Sequence, residues 1–187
     1  MTRFDVVANE VLFDHRHRRH RLGTFWQESP ALIVLLPQLT HHAAHRQIAE
    51  LTTTLDALTA TGVSALTIGM GTPRDGVHFH TSARSRVPIL LDPDRVLYQR
   101  LGLYRNTFRR PRTAVQARYL LGSAFARTPK PVRRQSGGAF LVLPGGRVIA
   151  ETRNPHLAAF ITNQAINTML QQLRTARSQH PASQAHE

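Results

Sequence analysis

Three histidines, His41, His42 and His45, fall within the stretch Thr40-His41-His42-Ala43-Ala44-His45. On a helix, residues three or four apart share a face, so His45 lies beside both His41 and His42. Two imidazoles at that spacing could chelate Zn, Fe, Cu or Ni, or ligate a haem. A third ligand would have to come from a distant position, such as His80 or His156. They could instead serve acid–base chemistry. The positive end of a helix dipole disfavours protonation and keeps an imidazole neutral, which suits a base or a neutral hydrogen-bond donor. The same dipole weighs against a bound cation. Histidine is also tolerated in an exposed first turn without doing any chemistry.

The elements around this stretch decide whether such side chains converge. Residues 31–36 are an apolar run long enough for one buried strand. Pro37 removes a backbone donor and stops it. Thr40 is the expected N-cap of the helix that follows. Ile48, Leu51, Leu55 and Leu58 then repeat at helical spacing and form one apolar face. A strand feeding a helix N-terminus aims free backbone N–H groups at one point, a place for an anion, a nucleophile or a ligand.

The remaining pattern alternates strands with helices, which implies parallel βαβ units. A first strand is expected over 6–14. A solvated hairpin tip follows over 14–21, where arginines between His15, His17 and His20 repel a metal cation. Thr61-Gly62 ends the helix after the central strand, and 63–68 is the next strand. A loop over 69–73 leads to a short helix over 75–85 with His78 and His80, then a strand over 87–91. Asp92 as cap and Pro93 in the first turn begin a helix that reaches Leu101 and stops at Gly102. Residues 137–143 form a strand, 144–147 a tight turn, and 148–151 the return strand. A last helix over 156–173 has Leu157, Phe160, Ile161, Ile166, Met169 and Leu170 as core candidates. His180 and His186 lie in the polar tail.

Composition narrows the classes. With 187 residues the chain makes one domain, 1–177, and a disordered tail, 178–187. Hydrophobic content is 41% and there is no cysteine, which excludes disulfides, thiolate metal sites and thiol mechanisms. No run is long enough to span a bilayer and the N-terminus is too polar for a signal peptide, so a cytoplasmic protein is expected. Net charge is +13, carried almost wholly by arginine, since Lys130 is the only lysine. No nucleic-acid motif accompanies that charge, and nucleic acid is not the expected partner. Residues 104–135 hold many arginines and no acidic residue. They are read as an insertion with an amphipathic helix over 114–125 that could meet a membrane surface or a partner, or pack over a pocket.

The order hairpin, three strand–helix units, hairpin and last helix resembles the thioredoxin fold in its peroxiredoxin-like, AhpC/TSA-type form. ALIVLLPQLTHHAAHRQIAEL resembles that family's strand, active-site loop and helix. VPILLDPDRVLYQRLGL resembles its Asp-Pro-Asp segment and following helix. RRQSGGAFLVLPGGRVIAETRNPH resembles its closing hairpin and basic segment. The resemblance covers about residues 6–172. It implies an α/β fold with a central mixed sheet flanked by helices, and by analogy a homodimer. In the family this helix opens with one or two cysteines. Here His42 and His45 occupy both sulfur positions, followed by the basic Arg46. A thiolate attacks the peroxide O–O bond, an attack imidazole cannot replace, so thiol peroxidase chemistry is unavailable to this chain.

The reading that follows is a non-thiol enzyme acting on a small organic molecule, in the manner of specialised-metabolite biosynthesis. Its catalytic candidates are His42, His45, Thr40 and Arg153, the last bringing positive charge to an anionic or enolate oxygen. Its substrate-binding candidates are His41 and, before the strand that borders thioredoxin-fold active sites, Gln135 and Ser136. Two alternatives stay open. One is a metal- or haem-dependent oxidoreductase with His42 and His45 as ligands. The other is a non-catalytic ligand- or partner-binding scaffold whose histidines fill old cysteine positions.

Overall fold

Every residue of Ala31–Leu35, strand β3, is buried. Continuous apolarity of this kind belongs to a strand covered on both faces. Alternate side chains go to opposite sides. Leu32 and Val34 join one core cluster, and Ala31, Ile33 and Leu35 join the other. The structure is a computed structural model and describes residues 4–36, 39–40, 42–103, 137–153 and 161–179.

The other strands are β1 (Val11–Asp14), β2 (Arg19–Arg21), β4 (Ser64–Gly69), β5 (Ile89–Leu91), β6 (Gly138–Val142) and β7 (Val148–Arg153). The described residues form a seven-stranded sheet in the order β2-β1-β5-β4-β3-β6-β7. Strands β3, β4 and β5 are parallel, while β1 and β6 join them antiparallel. The helices are α1 (His42–Ala60), α2 (Pro73–Ala83), α3 (Val96–Arg100) and α4 (Asn163–Gln179). This is a mixed α/β fold with the sheet as its middle layer, as the alternation of patterns implies.

Ile48, Leu51 and Leu58 of α1, Phe79 of α2 and Ile166, Met169, Leu170 and Leu173 of α4 pack with Leu32 and Val34. Burying each such side chain is worth about 1.5–3 kcal/mol. Leu97, Tyr98 and Leu101 in and after α3 pack on the other face with Phe4, Leu22, Trp26 and Phe140. Among the described residues no helix is long and apolar enough to cross a membrane.

Several described elements begin or end away from expectation. The first strand begins at Val11, not at residue 6, because Asp5–Val7 is a 3-10 turn whose neighbours bond locally, Ala8 N to Asp5 O and Glu10 N to Val7 O. Helix α1 is described from His42, with Thr40 in the turn before it, and His41 between them lies outside the described residues. Helix α3 starts at Val96, later than Pro93, because Arg95 is in the left-handed region. Asp92 still caps it, accepting from Val96 N at 3.0 Å and Leu97 N at 2.9 Å. Helix α4 starts at Asn163, where Thr162 Oγ1 accepts from Ala165 N, and it continues through Ser178 and Gln179 into the expected tail. The insertion over 104–135, its helix over 114–125, and Leu157 and Phe160 lie outside the described residues.

Candidate functional site

Helix α1 rises from the C-terminal end of β3, and its opening turn is set by packing beneath it. Leu39 is buried against Gly69, where a Cβ would collide with the leucine side chain. Ala43 and Ala44 are buried, small enough to let the first turn sit down on the sheet. His42, the first helical residue, is exposed, and His45 is half-buried one turn later.

His45 meets Phe79 of α2 edge-on, with ring centroids 4.9 Å apart and an interplanar angle of 61°. Burial, and after it the neighbouring His42 imidazole, hold His45 below the ordinary 6.5. A half-buried imidazole at a helix N-terminus that favours its neutral form can accept a proton or donate a neutral hydrogen bond.

Tyr98 fixes the floor behind this turn. It is fully buried, and its hydroxyl lies 2.5 Å from Leu36 O and 2.9 Å from Ile68 O. Those carbonyls close β3 and β4, so the phenol ties together the two strand ends that lead into the site.

The register Leu35↔Gly138 and Gly138↔Arg153 places Arg153 at the same end of the sheet as the α1 N-terminus. Two strand spacings separate it from Leu35, about 10 Å. Its guanidinium lies 5.4 Å from the Phe140 ring centroid and donates to Leu101 O at 2.5 Å and to Glu151 Oε1 at 3.2 Å. Phe140 packs in the cluster on the α3 face of the sheet, whereas Phe79 packs in the cluster on the α1 face. The guanidinium therefore sits on the face opposite the His45–Phe79 contact.

His80 does not join His42 and His45. It stacks on His15 with centroids 4.3 Å apart and 16° between planes. Successive helical residues diverge by about 100°, so Phe79 faces α1 while His80 faces β1. Among the described residues no group of three or more His, Cys, Asp or Glu could hold a metal ion together. His41, Gln135, Ser136 and His156 lie outside the described residues. Phe79, Leu39 and Tyr98 were not legible as site residues. Each acts across a gap of at least 30 residues or through glycine-made space, and neither leaves a local pattern.

The family described as AhpC/TSA antioxidant enzyme matches residues 50–156, more than half of the chain. No curated protein matches. Solved structures with this fold include the peroxidoxin BcpB from Mycobacterium tuberculosis, 15% identical, with a TM-score of 0.67 over 91% of this chain and 95% of that one. Peroxiredoxin Q from Xanthomonas campestris is 11% identical, with a TM-score of 0.69 over 94% and 97%. A thiol peroxidase from Chromobacterium violaceum is 17% identical, with a TM-score of 0.62 over 88% and 83%.

Proposed function

Because this chain belongs to the AhpC/TSA antioxidant enzyme family and yet contains no cysteine, we propose that it is a non-thiol enzyme acting on a small organic substrate through His42 and His45. The observation that carries this reading is the half-buried His45 against Phe79, held toward its neutral form at the first turn of α1. A neutral His45 takes a proton from a substrate C–H or O–H and becomes imidazolium. The substrate is left as an enolate or alkoxide, whose charge is matched by the α1 N-terminus. The His45 imidazolium then returns its proton to a different atom of that anion, so that the product is an isomer of the substrate, with His42 exposed at the same end of α1. Thr40 at that turn, and Arg153 at the same end of the sheet but on its opposite face, remain candidates for an oxygen of a substrate that reaches across the sheet end, with His41, Gln135 and Ser136 as further binding positions.

The test is a ligand screen by thermal shift, followed by turnover of the hits, on the wild type and on His42→Ala/His45→Ala. Loss of turnover with the fold retained supports the reading, and unchanged turnover overturns it. Elemental analysis and an absorbance spectrum of the untagged protein come first. Near-stoichiometric metal or a Soret band would replace acid–base chemistry by cofactor-dependent oxidation at the same histidines.

A further inference from the structure

Among the described residues, strand β2 ends the sheet on the side away from β7. Its register with β1 is Val11↔Arg21, Leu12↔His20 and Phe13↔Arg19. The flanking bonds, Leu22 N to Glu10 O and Asp14 N to Arg18 O, are each 2.9 Å. Antiparallel pairs alternate between bonded and non-bonded, so 10/22, 12/20 and 14/18 are the bonded ones. His20 thus turns its backbone toward β1, while Arg19 and Arg21 turn theirs off the edge. Thr24 Oγ1 donates to Arg21 O at 2.7 Å. Among the described residues the edge therefore offers the Arg19 N–H, the Arg19 C=O and the Arg21 N–H, in strand spacing.

The side chains on this edge share one charge. Arg19 and Arg21 are exposed and stand on the same face as Val11 and Phe13, which are 46% and 37% exposed. The Arg19 guanidinium lies 5.8 Å from the Phe13 ring centroid, and that of Arg21 donates to Asn9. The nearby carboxylates are engaged: Asp14 points inward and is held by Arg18 and His20, and Glu10 pairs with Arg100 at 2.7 Å.

We propose that β2 is a docking edge for an extended acidic segment of a partner protein. The segment adds as an eighth strand and sets carboxylates at alternate positions opposite Arg19 and Arg21. Opposite charges facing across strands select the acidic segment, and the new main-chain bonds supply most of the affinity. A second copy is disfavoured, because two β2 edges would set arginine against arginine. A nucleic-acid backbone matches the guanidinium groups but not the outward Arg19 carbonyl, which needs a donor. A short, charged edge resists indiscriminate pairing, and that same property makes this one selective for acidic strands. This inference is independent of the histidine site and of any activity there.

The experiment uses the full isotope-labelled chain and the synthetic peptide acetyl-Thr-Glu-Val-Glu-Val-Thr-amide, with a Lys-for-Glu peptide as control. The expected result is a shift of the Arg19 and Arg21 amide resonances, with amide exchange at Arg19 slowed about tenfold or more. The Arg19→Glu/Arg21→Glu protein should lose the acidic peptide and bind the lysine peptide instead. If that variant does not fold, amide exchange on the wild type decides alone. The proposal is overturned by no binding, or by binding without protection of the Arg19 amide. It is equally overturned by binding that survives the charge reversal, by stronger protection of the edge with duplex DNA than with the peptide, or by self-association through this edge.

Discussion

Gln47 clasps the backbone of Ile161 in both directions: its Nε2 donates to Ile161 O at 3.0 Å and its Oε1 accepts from Ile161 N at 2.5 Å. The carboxamide treats that residue as a neighbouring strand would. Gln47 is 2% exposed and lies two residues after His45. The clasp therefore ties the opening turns of α1 to the start of α4. Asn163 extends it, its backbone N–H donating to Glu50 Oε2 at 3.3 Å and its Nδ2 to Thr53 Oγ1 at 2.8 Å.

Replacing Gln47 by Leu keeps the volume but strands a buried N–H and a buried C=O. Each unsatisfied group costs about 1–3 kcal/mol. Urea denaturation should show a clear fall in midpoint, and Gln47→Glu, which keeps the acceptor and loses the donor, should fall in between. A Gln47→Leu midpoint equal to wild type would refute the clasp as a stabilising contact.

His45 should titrate below 6.5 when its ring signals are followed by NMR. Since the folded form binds this proton less readily than the unfolded chain does, the contribution to stability is complete above 6.5. It declines as pH falls through that value toward the folded pKa. Burial is the larger cause and His42 the smaller. Phe79→Ala should thus move His45 back toward 6.5 further than His42→Ala does. Phe79→Ala costs about 3–5 kcal/mol, so its spectrum must first show the native fold. The reverse order of the two shifts would mean that charge, not burial, governs the imidazole.

Asp14 organises the β1–β2 tip, accepting from Arg16 N at 2.8 Å, Arg18 N at 2.9 Å and Arg18 Nε at 2.8 Å, with His20 Nε2 at 3.0 Å. Burial works to raise its pKa. The Arg18 backbone, His20, the Arg18 guanidinium and the Arg16 backbone together outweigh that and hold it well below the usual carboxylate range. Its stabilising effect is present above the ordinary 3.8 and is lost as pH falls from there toward the folded pKa. Asp14→Ala should strip exchange protection from the Arg16 and Arg18 amides at neutral pH, while amides in β3 keep theirs. Equal protection in the variant would show that the turn forms without the carboxylate.

Tyr98→Phe removes the donor to Leu36 O and leaves that carbonyl buried, at a cost of about 1–3 kcal/mol. Burial, and then Asp92, push the phenol well above its ordinary 10.0. Folding therefore favours the protonated form, and this contribution is intact below 10.0 and lost as pH rises through the folded pKa. Phenolate absorbance should show a tyrosine component that ionises only with alkaline unfolding, and the Tyr98→Phe protein should lose one tyrosine from that component. A freely ionising set of tyrosines would contradict the assigned bonds.

Most elements were legible because their patterns are local. The apolar run before Pro37, the spacing of Ile48, Leu51 and Leu58, and the Pro144-Gly145-Gly146 turn each carry their period or their backbone demand within a few residues. The helix over 73–83 begins two residues earlier than its apolar pattern alone suggests. The capping box between Thr72 and Asp75, with Pro73 at the first position, explains that start. Where expectation failed, a neighbour had intervened: Arg95 in the left-handed region delayed α3, and Thr162 supplied the cap of α4.

The sequence by itself determined the fold class, the absence of every thiol mechanism, and the close spacing of His42 and His45. These depend on residue type and on spacing along the chain, both of which are written in order. Only the tertiary structure decided that His45 rests on Phe79, that His80 turns away to His15, and that the Arg153 guanidinium lies over Phe140 on the other face. Those contacts join residues on different elements, and their direction is set by sheet order, strand register and the roughly 100° step between helical neighbours. Burial against such distant partners, rather than residue type, is what sets the protonation of His45.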